Sequence, residues 1–265
     1  MLQYFIIGLF AFVSFFFGML GLGGGVFYTP LQILLGIDFN DAVTTSLLLI
    51  FVTSLSSSYV YMRQGLVILS FVFVAEIFTA SGSFIAGYFA PGMDKDILLY
   101  CLVGILFINS YLMIRPPNYS PMKKEDSFFN YKFMLPDGNE LSMNLLFVGP
   151  AFFFSGAIAS LVGIGGGALK LPIMVVLLGF PVRYAIANSA AMIVITSLAG
   201  IAGRAVQMEI NWEFGVMASF VVFIGSRAGA KMSLKTSPAK LKKILGAVLL
   251  IIAVVLMLKQ LNLSL

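Results

Sequence analysis

Histidine is absent from this 265-residue sequence, and cysteine occurs once, at Cys101. The absence of histidine removes the commonest acid–base group at neutral pH, the commonest metal ligand and every serine–histidine or cysteine–histidine catalytic pair. A single cysteine cannot close an intramolecular disulfide or supply a multi-thiolate metal site. These absences exclude much enzyme chemistry, and we expect no catalytic residues, no metal site and no cofactor.

Charge is scarce as well. Charged residues make up 10% of the chain, 60% of the residues are apolar and the mean hydropathy is +1.03. Soluble domains carry about 25% charged residues to cover their surface. The lipid bilayer is therefore the expected surrounding of most of this chain. The net charge of +5 is weak support for a nucleic-acid partner because the basic residues stand between hydrophobic runs, so we expect none.

Hydrophobic segments about as long as a bilayer is thick recur along the sequence. They cover 42–62, 66–90, 97–114, 144–162, 184–203, 214–232 and 244–262. The uncharged stretch 1–37 adds a further helix, and two pieces, 26–37 and 168–180, are too short to cross at about 1.5 Å per residue. The pattern predicts an all-α integral membrane protein with two short helices.

The two halves of the chain resemble each other. The stretch GLGGGVFYTP at 21–30 recurs as GIGGGALKLP at 163–172, an offset of 142 residues. After one extra residue the offset becomes 143, which aligns Gly36 with Gly179, Ser46 with Ser189 and Thr53-Ser54-Leu55 with Thr196-Ser197-Leu198. We predict two inverted repeats of about five helical elements each. The first membrane repeat covers 1–114, a polar central loop 115–143 and the second membrane repeat 144–265.

The glycine clusters are the strongest functional signal. Each glycine in a helix costs about 1 kcal/mol relative to alanine, so three in succession need a reason. A break there lets a new helix begin with unpaired N–H groups and the positive end of its dipole exposed, which favours a small anion. Close helix packing is the alternative, but duplication with a matched proline favours the anion site. The candidate residues are Gly23, Gly24, Gly25, Gly165, Gly166 and Gly167.

Polar side chains follow each short helix. Thr45 and Ser46 in the first half align with Asn188 and Ser189 in the second. Their hydroxyl and amide groups are candidates to complete the coordination of an anion. Capping or hydrogen bonding to neighbouring backbone explains them equally well.

Three charged residues lie within or close to apolar segments. Lys170, in the second short helix, is interpreted as an anion ligand, with a side chain reaching a membrane interface as the alternative. Arg204 offers a guanidinium fork for sulfonate or carboxylate oxygens, unless Glu209 or Glu213 pairs with it. Glu76 is a candidate for proton coupling, and a structural ion pair or hydrogen bond is an equally good explanation.

The duplicated G-x-G-G-G-x-x-x-x-P motif, followed by a Ser- or Asn-containing helix start, resembles the TauE/SafE sulfite exporter family, also called the 4-toluene sulfonate uptake permease family. The resemblance covers essentially the whole chain. It implies a secondary transporter in the prokaryotic plasma membrane, which we expect to export small sulfur-containing anions such as sulfite, sulfoacetate or other organosulfonates by alternating access. An anion channel and a carrier of non-sulfur carboxylates remain alternatives, and assembly as a homodimer is left open.

Overall fold

The structure is a computed structural model that describes residues 2–114, 129–208, 212–235, 237, 247 and 250–258. The helices are α1 Leu2–Leu20, α2 Gly25–Leu34, α3 Phe39–Arg63, α4 Leu69–Phe89, α5 Lys95–Ile114, α6 Leu145–Val162, α7 Gly167–Pro172, α8 Val182–Ala205 and α9 Glu213–Ser233. A π-helical stretch, Ile173–Leu177, continues α7, and residues 250–258 are helical. The rest of the predicted segment 244–262, apart from residue 247, lies outside the described residues, as does 115–128 of the predicted loop.

Several helices have the length and composition of membrane spans. Within the described residues these are Phe39–Arg63, Leu69–Gly92, Leu145–Val162, Val182–Ala205 and Phe214–Ser233. Large apolar side chains one turn apart face outward, such as Phe73 and Ile77 on α4, which are 62% and 68% exposed. Such an apolar surface is suited to contact with lipid rather than with water. The prediction of an all-α integral membrane protein is confirmed.

The two short helices are present where the sequence predicts them. The predicted stretch 26–37 corresponds to α2, and 168–180 corresponds to α7 with its π-helical continuation. The chain then turns at Gly36 and Gly179, which both have a left-handed φ, of 85° and 71°. Glycine suits these turns because it has no Cβ to clash in that conformation.

The main helix contacts made by one half of the chain have counterparts made by the other half. Helix α1 packs on α9, and its repeat counterpart α6 packs on α4. Helix α4 also packs on α8 while α9 packs on α3, and α3 contacts α8 directly. Glycines allow the close approach: a Cβ on Gly82 would lie 2.1 Å from the Phe153 oxygen, and one on Gly225 would lie 2.6 Å from the Ala11 oxygen. The contacts are reciprocal, as a structural repeat requires, and the inverted orientation of the halves stays a prediction.

Part of the predicted central loop forms a β-hairpin instead. Strand β1, Asn130–Met134, pairs antiparallel with β2, Glu140–Asn144. Alternate residues are apolar and buried, and the Phe133 ring lies 5.0 Å from that of Phe71 on α4. The polar composition of the stretch predicted a loop, whereas this alternation of apolar residues around an Asp-Gly turn is typical of a hairpin.

Candidate anion-binding site

Each short helix begins at a glycine in the left-handed conformation. Gly24 precedes α2 with a φ of 86°, and Gly166 precedes α7 with a φ of 71°. The N-cap residue of each helix is a glycine, so it provides no side-chain hydrogen bond to the first N–H groups. The residues that open the helices, Gly25 and Gly167, are buried. Uncapped N–H groups at a buried helix start can donate to an anion, and the helix dipole adds to the attraction.

The two helix starts are in contact with each other. A Cβ on Gly25 would lie 2.6 Å from the Gly163 oxygen, and one on Gly167 would lie 2.8 Å from Leu22 Cα. Thr29 in α2 donates a hydrogen bond of 2.8 Å to that same Gly163 oxygen. No side chain larger than hydrogen fits at Gly25 or Gly167 without displacing backbone. The glycines therefore serve close approach as well as helix initiation, so both sequence-based explanations have a structural counterpart.

Helices α3 and α8 contact the glycines through Ile50 and its repeat counterpart Ile193. Ile50 Cγ2 would lie 2.9 Å from a Cβ on Gly23 and 2.7 Å from one on Gly165. Ser54 lies one turn further along α3, with its Oγ 3.1 Å from a Cβ on Gly23. Its hydroxyl is buried and has no hydrogen-bond partner among the described residues. The repeat alignment contained Ser54, but nothing in the local sequence singled it out as a site residue.

Lys170 and Glu76 form a buried ion pair. Lys170 Nζ lies 2.7 Å from Glu76 Oε1, and the two side chains are 0% and 3% exposed. Thr196 Oγ1 accepts a hydrogen bond from Lys170 and lies 2.8 Å from Glu76 Oε2, while Thr79 donates to Glu76 Oε1 at 2.6 Å. The pair joins α4, α7 and α8. Lys170 thus has an acidic partner that the sequence analysis did not assign to it.

The first half holds a neutral version of this cluster. Tyr28 takes the place of Lys170 in the repeat, and its hydroxyl lies 3.1 Å from Thr53 Oγ1, the counterpart of Thr196. The counterpart of Glu76 is Ser219, whose hydroxyl donates to the Gly215 oxygen of its own helix at 2.7 Å. The halves therefore differ in charge although their helices correspond.

Arg204 is fully buried near the end of α8. Its guanidinium donates to Asn40 Oδ1 at 3.3 Å, to the Ser160 oxygen at 3.2 Å and to the Leu161 oxygen at 3.1 Å. Its Nε has no partner, and no carboxylate pairs with it, among the described residues. Glu209, one of the alternatives from the sequence, lies outside those residues, as does the side chain of Glu213.

The predicted polar ligands in the second half lie at the other end of α8. Asn188 Oδ1 accepts the Ile68 N–H at 2.8 Å, and its Nδ2 donates to the Leu66 oxygen at 3.3 Å. This amide fastens the turn between α3 and α4. Ser189 is buried, and its hydroxyl has no partner in the described part of the chain.

Thr45 and Ser46, the first-half counterparts of Asn188 and Ser189, have different surroundings. Ser46 accepts a hydrogen bond of 2.9 Å from Gln32 Nε2 of α2. Gln32 corresponds to Met174 in the repeat, which explains why Ser189 lacks an equivalent donor. Thr45 lies beside α9, with its Cγ2 3.5 Å from the place of a Cβ on Gly215.

The structure does not bring all predicted ligands together. Asn188 and Arg204 are 16 residues apart on α8, which separates them by about 24 Å. One small anion cannot contact both. The glycine-capped helix starts lie between these ends, where they contact the middle of α3 and α8 through Ile50 and Ile193.

Repeated membrane-spanning helices around two contacting, glycine-broken short helices define a membrane transporter architecture. The family model of the sulfite exporter TauE/SafE matches residues 4–256, and the chain belongs to this family. It is 27% identical to the probable membrane transporter protein YunE of Bacillus subtilis (strain 168), over 88% of this chain and 89% of that protein. The probable membrane transporter protein YdhB of the same organism is 33% identical over 37% of this chain and 40% of its own length. No solved structure gives a significant match.

Proposed function

We propose that this membrane transporter is a secondary carrier that exports small sulfur-containing anions, such as sulfite, sulfoacetate or other organosulfonates, across a prokaryotic plasma membrane. The observation that carries the proposal is the contact between two buried, uncapped helix starts, one from each half. The family to which the chain belongs supports sulfur oxyanions as the substrate class.

The anion is held by the backbone N–H groups of Gly25 and Gly167 and of the next residue in each helix, Val26 and Ala168, since the N–H groups that follow donate to the oxygens of Gly24 and Gly166. These donors and the two helix dipoles supply partial positive charge without a charged side chain. The anion is therefore bound but can also be released. The Ser54 hydroxyl, buried beside Gly23, adds a donor for a sulfonate or sulfite oxygen. Asn188 and Ser46, which are already hydrogen-bonded, support the surrounding helices.

The reciprocal packing of the halves supports alternating access as the mechanism. Because α4 packs on α6 and α8 while α9 packs on α1 and α3, one set of contacts can open as its counterpart closes. Glu76 is the proton-coupling group of this proposal. Proton binding removes its charge and releases Lys170 from the ion pair, which makes the ammonium available to a second negative charge.

Uptake of radiolabelled sulfite and sulfoacetate into proteoliposomes, with and without a pH gradient, tests the proposal. We expect saturable, temperature-dependent uptake that the gradient accelerates. Flux that stays linear over a wide concentration range favours a channel, and uptake of acetate but of no sulfur anion favours a carboxylate carrier.

The contribution of the Ser54 hydroxyl, which lies beside the helix starts, is tested with variants of two serines on α3. The variant Ser54→Ala removes the unpartnered hydroxyl and should raise the KM severalfold. Ser57→Ala is the matched control, because the Ser57 hydroxyl already donates to the Thr53 oxygen at 2.9 Å, and its KM should be unchanged. Equal KM values for the two variants would place the anion elsewhere.

A further inference from the structure

Arg204 performs a structural task that a tyrosine performs in the other half. Tyr61 corresponds to Arg204 at the offset of 143 residues, and its hydroxyl donates to the Gly18 oxygen at 2.9 Å and lies 3.2 Å from the Met19 oxygen. Gly18 and Met19 close α1 as their counterparts Ser160 and Leu161 close α6. Both side chains therefore bond the end of the first helix of their repeat, and the bond itself requires no charge.

The same exchange of tyrosine for a cation occurs at a second place. Tyr28 in the first half corresponds to Lys170 in the second, and each bonds the equivalent threonine. The charge of Lys170 is balanced by Glu76 at 2.7 Å. Arg204 has only neutral acceptors among the described residues, so no carboxylate in that part of the chain balances its positive charge.

A buried charge without an opposite partner is costly, by several kcal/mol after relaxation. A tyrosine would make the helix contact without that cost, as Tyr61 shows. Two donors near this end of α8 have no partner among the described residues: Arg204 Nε and the hydroxyl of Ser160, whose backbone oxygen accepts from the same guanidinium. The Ser160 hydroxyl lies 2.7 Å from the place of a Cβ on Gly200, one turn before Arg204. Both side chains are fully buried. An unbalanced guanidinium with spare donors is suited to an oxyanion.

We propose that Arg204 forms a second anion-binding site, with Asn40 and Ser160 beside it, and that this site exists at one end of the transporter only. It lies where α3 begins and α6 and α8 end, and Tyr61 takes its place at the opposite end. The ligand is the singly charged sulfonate or sulfite group of the carried anion, since one charge balances one guanidinium. This inference rests on the proposed function for the identity of the anion.

The consequence is that the two faces of the membrane differ in apparent affinity. An anion arriving at the Arg204 end is attracted by a charge that the Tyr61 end does not offer. The carrier therefore binds the anion with higher affinity at the Arg204 end, although its helices are repeated. Substrate then binds tightly at one side and leaves more easily at the other.

The decisive variant is Arg204→Tyr, which copies the first half and keeps a donor for the end of α6. Transport of radiolabelled sulfoacetate is measured in right-side-out and inside-out vesicles. We expect the KM to rise at least tenfold at one face and to stay unchanged at the other. Arg204→Lys keeps the charge and should lie in between, and Tyr61→Phe controls for loss of a helix-end hydrogen bond and should leave both KM values unchanged.

Anion-dependent thermal stabilisation of the detergent-purified protein provides a readout that does not require transport. Sulfoacetate should raise the Tm of the wild type, and clearly less so that of Arg204→Tyr or Arg204→Lys. Equal stabilisation of folded Arg204→Tyr and wild type, or equal KM values of the wild type at both faces, would overturn the second site. Stabilisation that depends on Arg204, without any transport of sulfur anions, would overturn the proposed function and retain the site.

Discussion

Glu76 and Lys170 are 94 residues apart in the chain and lie 2.7 Å apart in the structure, with almost no exposure of either side chain. Their contact ties α4 of the first half to α7 of the second. A buried pair of this kind contributes little net stability against an apolar replacement, but it becomes costly when one partner is removed. It is therefore suited to a switch that changes state when the carboxylate binds a proton.

Removal of one partner should be worse than removal of both. Glu76→Gln leaves Lys170 charged and buried, and we expect a loss of about 3–5 kcal/mol in the free energy of unfolding. The double variant Glu76→Ser with Lys170→Tyr copies Ser219 and Tyr28 of the first half and should lose less. Denaturant unfolding in detergent measures both, and a double variant that loses as much stability as Glu76→Gln would contradict this coupling.

Thr196 should matter more than its repeat counterpart. Its hydroxyl contacts both charged groups, whereas the Thr53 hydroxyl contacts the neutral hydroxyl of Tyr28. Hydrogen bonds to charged groups are worth about 1.5–3 kcal/mol, against about 1 kcal/mol for neutral ones. We expect Thr196→Val to lower the Tm further than Thr53→Val does. The same Tm for both would argue against a charged state of the pair.

Gly156 should tolerate no side chain. A Cβ there would lie 2.0 Å from the Thr79 oxygen and would push α6 away from α4. Gly156→Ala should lower the Tm and reduce the yield of folded protein. Gly104→Ala in α5 is the matched control, since its Cβ would meet nothing within 4 Å, and it should be neutral or stabilising by up to about 1 kcal/mol. A neutral Gly156→Ala would contradict this helix packing.

Asp38 makes stability depend on pH at the start of α3. Its hydrogen bond with Lys95 holds the pKa of the Asp38 carboxyl below its ordinary value of 3.8, helped by the Asn40 N–H. The pair therefore stabilises the fold above that ordinary value, and the gain is lost as the pH falls through the lowered pKa. Because both side chains are about half exposed, we expect less than about 1 kcal/mol.

The Asp38 variants separate the ion pair from the helix cap. Asp38→Asn keeps the cap and should lose only the acid-sensitive part, so its Tm should change less than that of the wild type between pH 5 and about pH 3. Asp38→Ala also loses the cap, which is worth about 0.5–2 kcal/mol. Equal Tm values for the two variants would show that the cap contributes nothing.

Much of the fold could be predicted because local sequence patterns determine it. The apolar runs predicted the helices, and the repeated glycines predicted the two short helices to within one residue of their starts at Gly25 and Gly167. The hairpin was missed because a few buried residues, such as Phe133 and Met143, determine it within a polar stretch.

The partners of the charged residues could not be predicted. The contact of Lys170 with Glu76 depends on which faces of α4 and α7 turn inward, and the repeat offers Ser219 rather than an acid as a guide. Asn188 was a candidate ligand by sequence, yet its amide matches the backbone of the turn at Leu66 and Ile68. Such pairings depend on tertiary packing rather than on local sequence.

The most direct test of the central claim is solute counterflow in proteoliposomes that contain the purified protein. Vesicles loaded with unlabelled sulfite are diluted into a trace of radiolabelled sulfite. A carrier that holds the anion between its two halves predicts a transient accumulation of label above equilibrium, abolished by excess external sulfite. Label that never exceeds equilibrium, or that enters equally in vesicles without the protein, would contradict the account.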